Sequence, residues 1–162
     1  MLIPAIPKPP EKKKTVRMNA TEFIRRTEDV IGMGKLEEFP GSMLFTVPIL
    51  PPGLNGQCGL IRMHWTAKSK LTDAWVQILS EARGGSKTTF KQCAVVFTLF
   101  VTRLWDWDNC SASFKLVGDG LVKSGVLSND SPAVIKSFKT EQVKVKDKAE
   151  VGCSVLLTRF VS

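Results

Sequence analysis

The chain has little of what most catalytic or membrane classes require. No stretch of about 18 or more consecutive apolar residues occurs, so no transmembrane helix is expected. The first ten residues are proline-rich and carry neither the apolar core nor the small-residue cleavage site of a secretory signal, which points to a cytoplasmic protein. There is one histidine, His64, and the four cysteines, Cys58, Cys93, Cys110 and Cys153, are widely spaced with no CxxC pair. That distribution excludes a structural zinc site and leaves the thiols as small buried hydrophobes. No phosphate-cradling glycine-rich loop or Walker motif is present, which argues against a magnesium-using metabolic enzyme.

What is present is a basic, ordinary globular chain. Of 162 residues, 43% are hydrophobic and 23% charged, enough for one core and too few residues for two ordinary domains. Lysine and arginine number 23 against 15 acids, a net charge of +8. Such a surplus favours polyanionic partners, since basic side chains displace counterions from a phosphate backbone.

Residues 1–18 read as a flexible basic, proline-rich arm, with Pro4, Pro7, Pro9 and Pro10 ahead of Lys12, Lys13, Lys14 and Arg17. Residues 19–42 read as a helical appendage or lead-in. Asn19 is a good N-cap and Glu22, three residues on, completes a capping-box pattern for a helix over 20–31, ended by Gly32 or Gly34. The main domain is expected over 43–162. A strand over 43–50 runs into Pro51-Pro52-Gly53, where the ladder must end. Leu71, Trp75, Ile78, Leu79 and Ala82 recur at helical spacing within a helix over 66–82, closed by Gly84-Gly85. Residues 91–104 are rich in Val, Phe and Thr and nearly continuously apolar, as in a strand covered on both faces. Helical spacing returns over 109–123 with Cys110, Phe114, Val117 and Leu121, and Gly125 stops it. Strands are expected over 134–138, 142–145 and 151–160. The alternation predicts an α+β fold, a small mixed β-sheet packed with helices.

The most informative stretch is Asp106-Trp107-Asp108-Asn109. If the strand continues through it, a period of two puts Asp106 and Asp108 on one edge and turns Trp105 and Trp107 into apolar cover. Paired carboxylates repel, and a divalent cation removes that penalty; magnesium suits hard oxygen ligands. The other reading starts a helix at Asp108-Asn109 and leaves Asp106 in solvent. Lys115 and Asp119 stand four apart, a spacing that permits a surface ion pair or lets Lys115 reach a phosphate. Asp130, in Asn129-Asp130-Ser131-Pro132, either returns a third carboxylate to that edge or caps a turn. Arg62-Met63-His64-Trp65 lies beside a helix start and either packs or reaches DNA.

These residues, Asp106-Trp107-Asp108-Asn109, Lys115, Asp119, Gly125-Val126-Leu127 and Asn129-Asp130-Ser131, resemble the core of the RusA-like crossover junction endodeoxyribonucleases, many of them carried by phages and prophages. The likeness is strongest over 103–135 and extends more weakly to 47–55, where a strand runs into Pro51-Pro52 and Asn55. It implies a RusA-like resolvase fold and a homodimeric, magnesium-dependent endonuclease that resolves four-way Holliday junctions in DNA recombination and repair. Asp106, Asp108 and Asp130 correspond to the metal-binding aspartates, Lys115 to the essential lysine and Asp119 to the helix acid that follows it. The stretch between Asn109 and Lys115 is three residues longer than in the founding member. Asn129 stands where an acid is common. Nucleases for forks, flaps or other branched DNA, and a non-catalytic module that binds branched DNA, are the alternatives.

Overall fold

The computed structural model describes residues 18–55 and 58–161. The expected arm at 1–18 lies, apart from Met18, outside the described residues. The chain is α+β: helix α1 Ala20–Asp29, strands β1 Lys35–Phe39 and β2 Ser42–Val47, helix α2 Trp65–Arg83, strand β3 Cys93–Val101, helix α3 Trp107–Lys123, and strands β4 Ile135–Lys144 and β5 Gly152–Arg159. The five strands form one mixed sheet in the order β1-β2-β5-β3-β4. All pairings are antiparallel except β3 with β4, which are joined through α3 as a parallel crossover.

Alternation along the strands decides what the sheet buries. Phe45, Val155 and Phe97 stand in one row across β2, β5 and β3, and Met43, Leu157 and Val95 in the next. All six are buried. In β3 the buried positions are every second residue, from Cys93 to Val101, while Ala94, Val96, Thr98 and Phe100 are half-exposed. The apolar run over 91–104 therefore belongs to a sheet with one fully buried face, and cover on both faces is corrected. The two short strands expected over 134–138 and 142–145 are one continuous edge strand, because pairing to the whole length of β3 carries the polar middle of β4.

Helices α2 and α3 cover the buried face. Phe114 of α3 sits between Phe97 and Phe138, with ring centroids 5.2 and 4.8 Å away. Gly120 meets α2 so closely that a Cβ there would lie 2.8 Å from Leu79 Cδ1. At the far ends of the two helices the Arg83 guanidinium donates to the Ser124 carbonyl. The helices thus run the same way, and their starts lie toward the same end of the molecule. Gly125, with φ of 78°, turns the chain out of α3 into Val126-Leu127.

Helix α1 begins as its N-cap predicts: Asn19 Oδ1 accepts the Glu22 N–H at 2.8 Å. The reciprocal half of the capping box is absent, because the Glu22 carboxylate accepts from Arg25 and Arg26 instead. These two guanidiniums hold Glu22 down to about 2. Strand β1 has no counterpart in the sequence reading; Lys-Leu-Glu-Glu-Phe lacks the β-branched residues that mark strands, and pairing with β2 supplies the order. Among the described residues, no helix is long and apolar enough to cross a membrane. The cysteines are free thiols, with Cys93, Cys110 and Cys153 buried and Cys58 partly so.

Candidate functional site

Strand β3 ends at Val101, and helix α3 starts at Trp107 with Asp106 as its N-cap. The strand-like placement of Asp106 and Asp108 on one edge is therefore corrected. In a helix successive residues fan out by about 100°, so Asp106, Trp107 and Asp108 diverge around the first turn. Trp107 is 63% exposed rather than turned into apolar cover, while Trp105 is half-buried against the core.

Two side chains fix this helix start. The Gln142 amide, on β4, brackets the Trp105 peptide: its Oε1 accepts the Trp105 N–H at 2.7 Å and its Nε2 donates to the Trp105 carbonyl at 2.9 Å. Asn109 Oδ1 accepts the N–H groups of Leu54 and Asn55, each at 3.0 Å. The loop that leaves β2 at Pro51-Pro52 is thereby tied to the first turn of α3. Sequence reasoning assigns no role to Gln142, and no local signal marks it, since its partner lies 37 residues away. Asn109 stands out in the sequence only as part of the motif. Between the two tethers runs an open groove of about 350 Å³ lined by Gly53, Asn55, Arg103, Leu104, Trp105, Asp106 and Asn109.

The carboxylates at this end are exposed. An aspartate at an N-cap ordinarily accepts an N–H of the first turn, yet Asp106 makes no such bond. Asp108 Oδ1 accepts the Asn109 N–H at 2.9 Å and sits in the first turn, where the helix dipole favours an anion. Burial, then the nearby Asp106 and Asp108 charges, raise the Cys110 thiol above its ordinary value.

Asp108, Lys115 and Asp119 lie at i, i+7 and i+11, one stripe along α3. Lys115 Nζ donates to Asp119 Oδ1 at 2.9 Å and stands 3.8 Å from Asp130 Oδ2. The hydrogen bond it donates to Asp119 raises the lysine above its ordinary range, aided by the charge of Asp130. Asn129 caps the turn, accepting the Ser131 N–H on Oδ1 at 2.8 Å, which leaves the Asp130 carboxylate facing Lys115. The turn-cap role considered for Asp130 belongs to its neighbour.

Lys115, Asp119 and Asp130 are thus brought together, whereas Asp106 and Asp108 stand apart from them and from each other at the start of α3, Asp108 about 10 Å along the helix from Lys115. The donor atoms are hard carboxylate oxygens of the kind magnesium takes. Among the described residues, however, no three His, Cys, Asp or Glu side chains converge into a ready metal cluster. His64 is the N-cap of α2, its Nδ1 accepting the Thr66 N–H.

The fold and this surface define an α+β chain carrying an exposed acid–lysine stripe on a helix that crosses over between parallel strands. No protein-family model matches the chain, and no curated protein matches it significantly.

Proposed function

We propose that the chain is an endonuclease for branched DNA, with the four-way junction as its principal substrate and Asp106, Asp108, Lys115 and Asp130 as its working groups. The reading rests on the resemblance to the RusA-like family. The observation that supports it best is Lys115, drawn by Asp119 and Asp130 into a fixed cation on the same stripe as Asp108.

Phosphodiester hydrolysis needs positive charge where the phosphoryl oxygens gain negative charge. Lys115 is held protonated and so serves as that electrostatic partner rather than as a base. The groove beside Asp106 offers Arg103 for phosphate and the Asn55 and Asn109 amides for polar contact. Magnesium is the cofactor that the resemblance implies, with Asp106, Asp108 and Asp130 as its ligands; as they stand, the carboxylates form no ready cluster among the described residues. A four-way junction must be cut in two opposed strands, so the same reading calls for a C2 homodimer with two matched sites. It also assigns the protein to the cytoplasm and to DNA recombination and repair.

The test is cleavage of labelled four-way, fork, flap and linear duplex DNA with magnesium or with EDTA. Cutting of the four-way junction is expected with magnesium only, and Asp108→Asn is expected to reduce it by about 10²-fold or more while retaining junction binding. Asparagine keeps the size and the acceptor of Asp108 but not its charge. Faster cutting of forks or flaps would move the substrate within the branched-DNA class. Binding without cutting by the parent chain would leave a non-catalytic branched-DNA module, and full activity of Asp108→Asn would remove the acid from the chemistry.

A further inference from the structure

Two of the four tryptophans are spent on the surface. Trp65 is 72% exposed and Trp107 63%, whereas Trp75 is fully buried and Trp105 half-buried. Each exposed ring occupies the first position of a long helix, α2 and α3 respectively. The two starts lie toward the same end, and a chain of hydrogen bonds joins them: Asn109 Oδ1 accepts from Leu54 N–H, and the Leu54 carbonyl accepts from Ile61 N–H, four residues before Trp65. Ile61 and Leu104, 64% and 58% exposed, widen the same apolar end. Exposed cations, Arg62 and Arg103, flank the two rings in sequence, and Arg103 lines the groove beside Asp106.

Exposing two indoles costs hydration free energy that an ordinary surface would avoid. Neither ring is part of the buried core, which near these helix starts includes Met63, Leu71 and Cys110; the Trp65 ring meets only the His64 ring among the described aromatic pairs, with centroids 5.7 Å apart. We propose that Trp65 and Trp107 are stacking platforms for unpaired nucleobases of single-stranded DNA. Every base presents a flat π-face to an indole, and exposed guanidiniums on the same two segments suit the phosphates that link the bases. A protein partner would meet the indoles equally well, but the charge of +8 and the exposed Arg62 and Arg103, three and four residues ahead of the rings, favour the polyanion. The inference rests in part on the proposed function, because within the branched-DNA class forks and flaps carry unpaired bases. It concerns binding alone and needs no metal.

The test is binding by the full chain to an oligothymidylate and to a paired duplex of equal length, in EDTA at fixed salt, read by anisotropy of the labelled DNA and by quenching of intrinsic fluorescence. Oligothymidylate is expected to quench the exposed indoles. Trp65→Ala and Trp107→Ala are each expected to weaken its binding by about tenfold or more while changing duplex affinity less than threefold. Trp65→Phe and Trp107→Phe are expected to keep most of the affinity, which separates stacking from altered folding, with circular dichroism confirming the fold of all four. Single-strand affinity unchanged in both alanine variants would overturn the proposal while leaving junction cutting intact. A shift in sedimentation behaviour with unchanged DNA binding would overturn it in favour of a self-association surface. Single-strand binding that needs the rings, in a chain that cuts no branched DNA, would uphold it and fail only the nuclease reading.

Discussion

At the scale of single residues, Lys115 shows how neighbours set a chemical role. Its ammonium donates to Asp119 and faces Asp130, and the hydrogen bond to Asp119 raises it above its ordinary value of 10.5. A lysine raised in this way keeps its interaction below the ordinary value and loses it only as pH climbs through the raised one. Its charge is therefore constant across neutral pH, and no limb of a pH–rate profile between about pH 6 and 9 should belong to it. The side chain is 62% exposed, so the two ion pairs contribute little to stability. Lys115→Ala is expected to lower single-turnover cutting by about 10²-fold, the usual loss on removing one preorganised charge donor, with a melting temperature close to the parent's. Lys115→Arg is expected to recover part of the rate. Equal rates for Lys115→Ala and the parent at saturating DNA would end the electrostatic assignment. Asn129 makes the complementary point: by capping its own turn it leaves Asp130 free to face the lysine.

At the scale of elements, the site depends on how α3 is tied down. The Gln142 side chain holds the Trp105 peptide from both sides, and Asp106 is the next residue. Gln142→Ala removes both hydrogen bonds, a loss of about 1–3 kcal/mol. The melting temperature is expected to fall by roughly 2–12 °C, amide exchange at Trp105 to quicken, and cutting to fall further than stability alone explains. Protection of the Trp105 amide equal to the parent's would show that the bracket is not what orders this turn. Such tethers explain what can be read from the sequence. Periodicity locates α2, α3 and β3, because the stripe Leu71, Trp75, Ile78, Leu79 and the run of Val and Phe are local signals. The caps at Asn19 and Gly84 are legible for the same reason. Strand β1 and the unbroken β4 are not, since their order comes from partners distant in sequence. At the site, the acids, the lysine and their proximity in sequence are legible, but the end of β3 at Val101 is not. Reading the strand through to Asp108 reverses the environment assigned to Trp107.

At the scale of the whole molecule, charge and shape make separate predictions about DNA. The surplus of +8 is spread through exposed lysines and arginines, among them Arg62, Arg103, Lys136, Lys139, Lys144 and Lys146. Against this, Asp106 and Asp108 are exposed at the start of α3 and repel a phosphate backbone locally. The proposed binding energy is therefore long-ranged attraction from the basic surface, with short-ranged repulsion at the acids. Each phosphate neutralised releases counterions, so the logarithm of affinity falls linearly with the logarithm of salt concentration. With roughly five phosphates engaged, raising salt from about 50 to 200 mM should weaken metal-free junction binding by several hundredfold. Asp108→Asn should bind more tightly than the parent at low salt, because it removes a repulsive charge, and the difference should shrink as salt screens it. Affinities measured in EDTA at four or more salt concentrations, for parent and variant, give both the slope and the gap. A junction affinity that barely changes over that range would exclude a phosphate-dominated interface. Base stacking on Trp65 and Trp107 has a different signature: it contributes little to the counterion slope, so their alanine variants should shift the intercept of the single-strand plot and leave its slope in place.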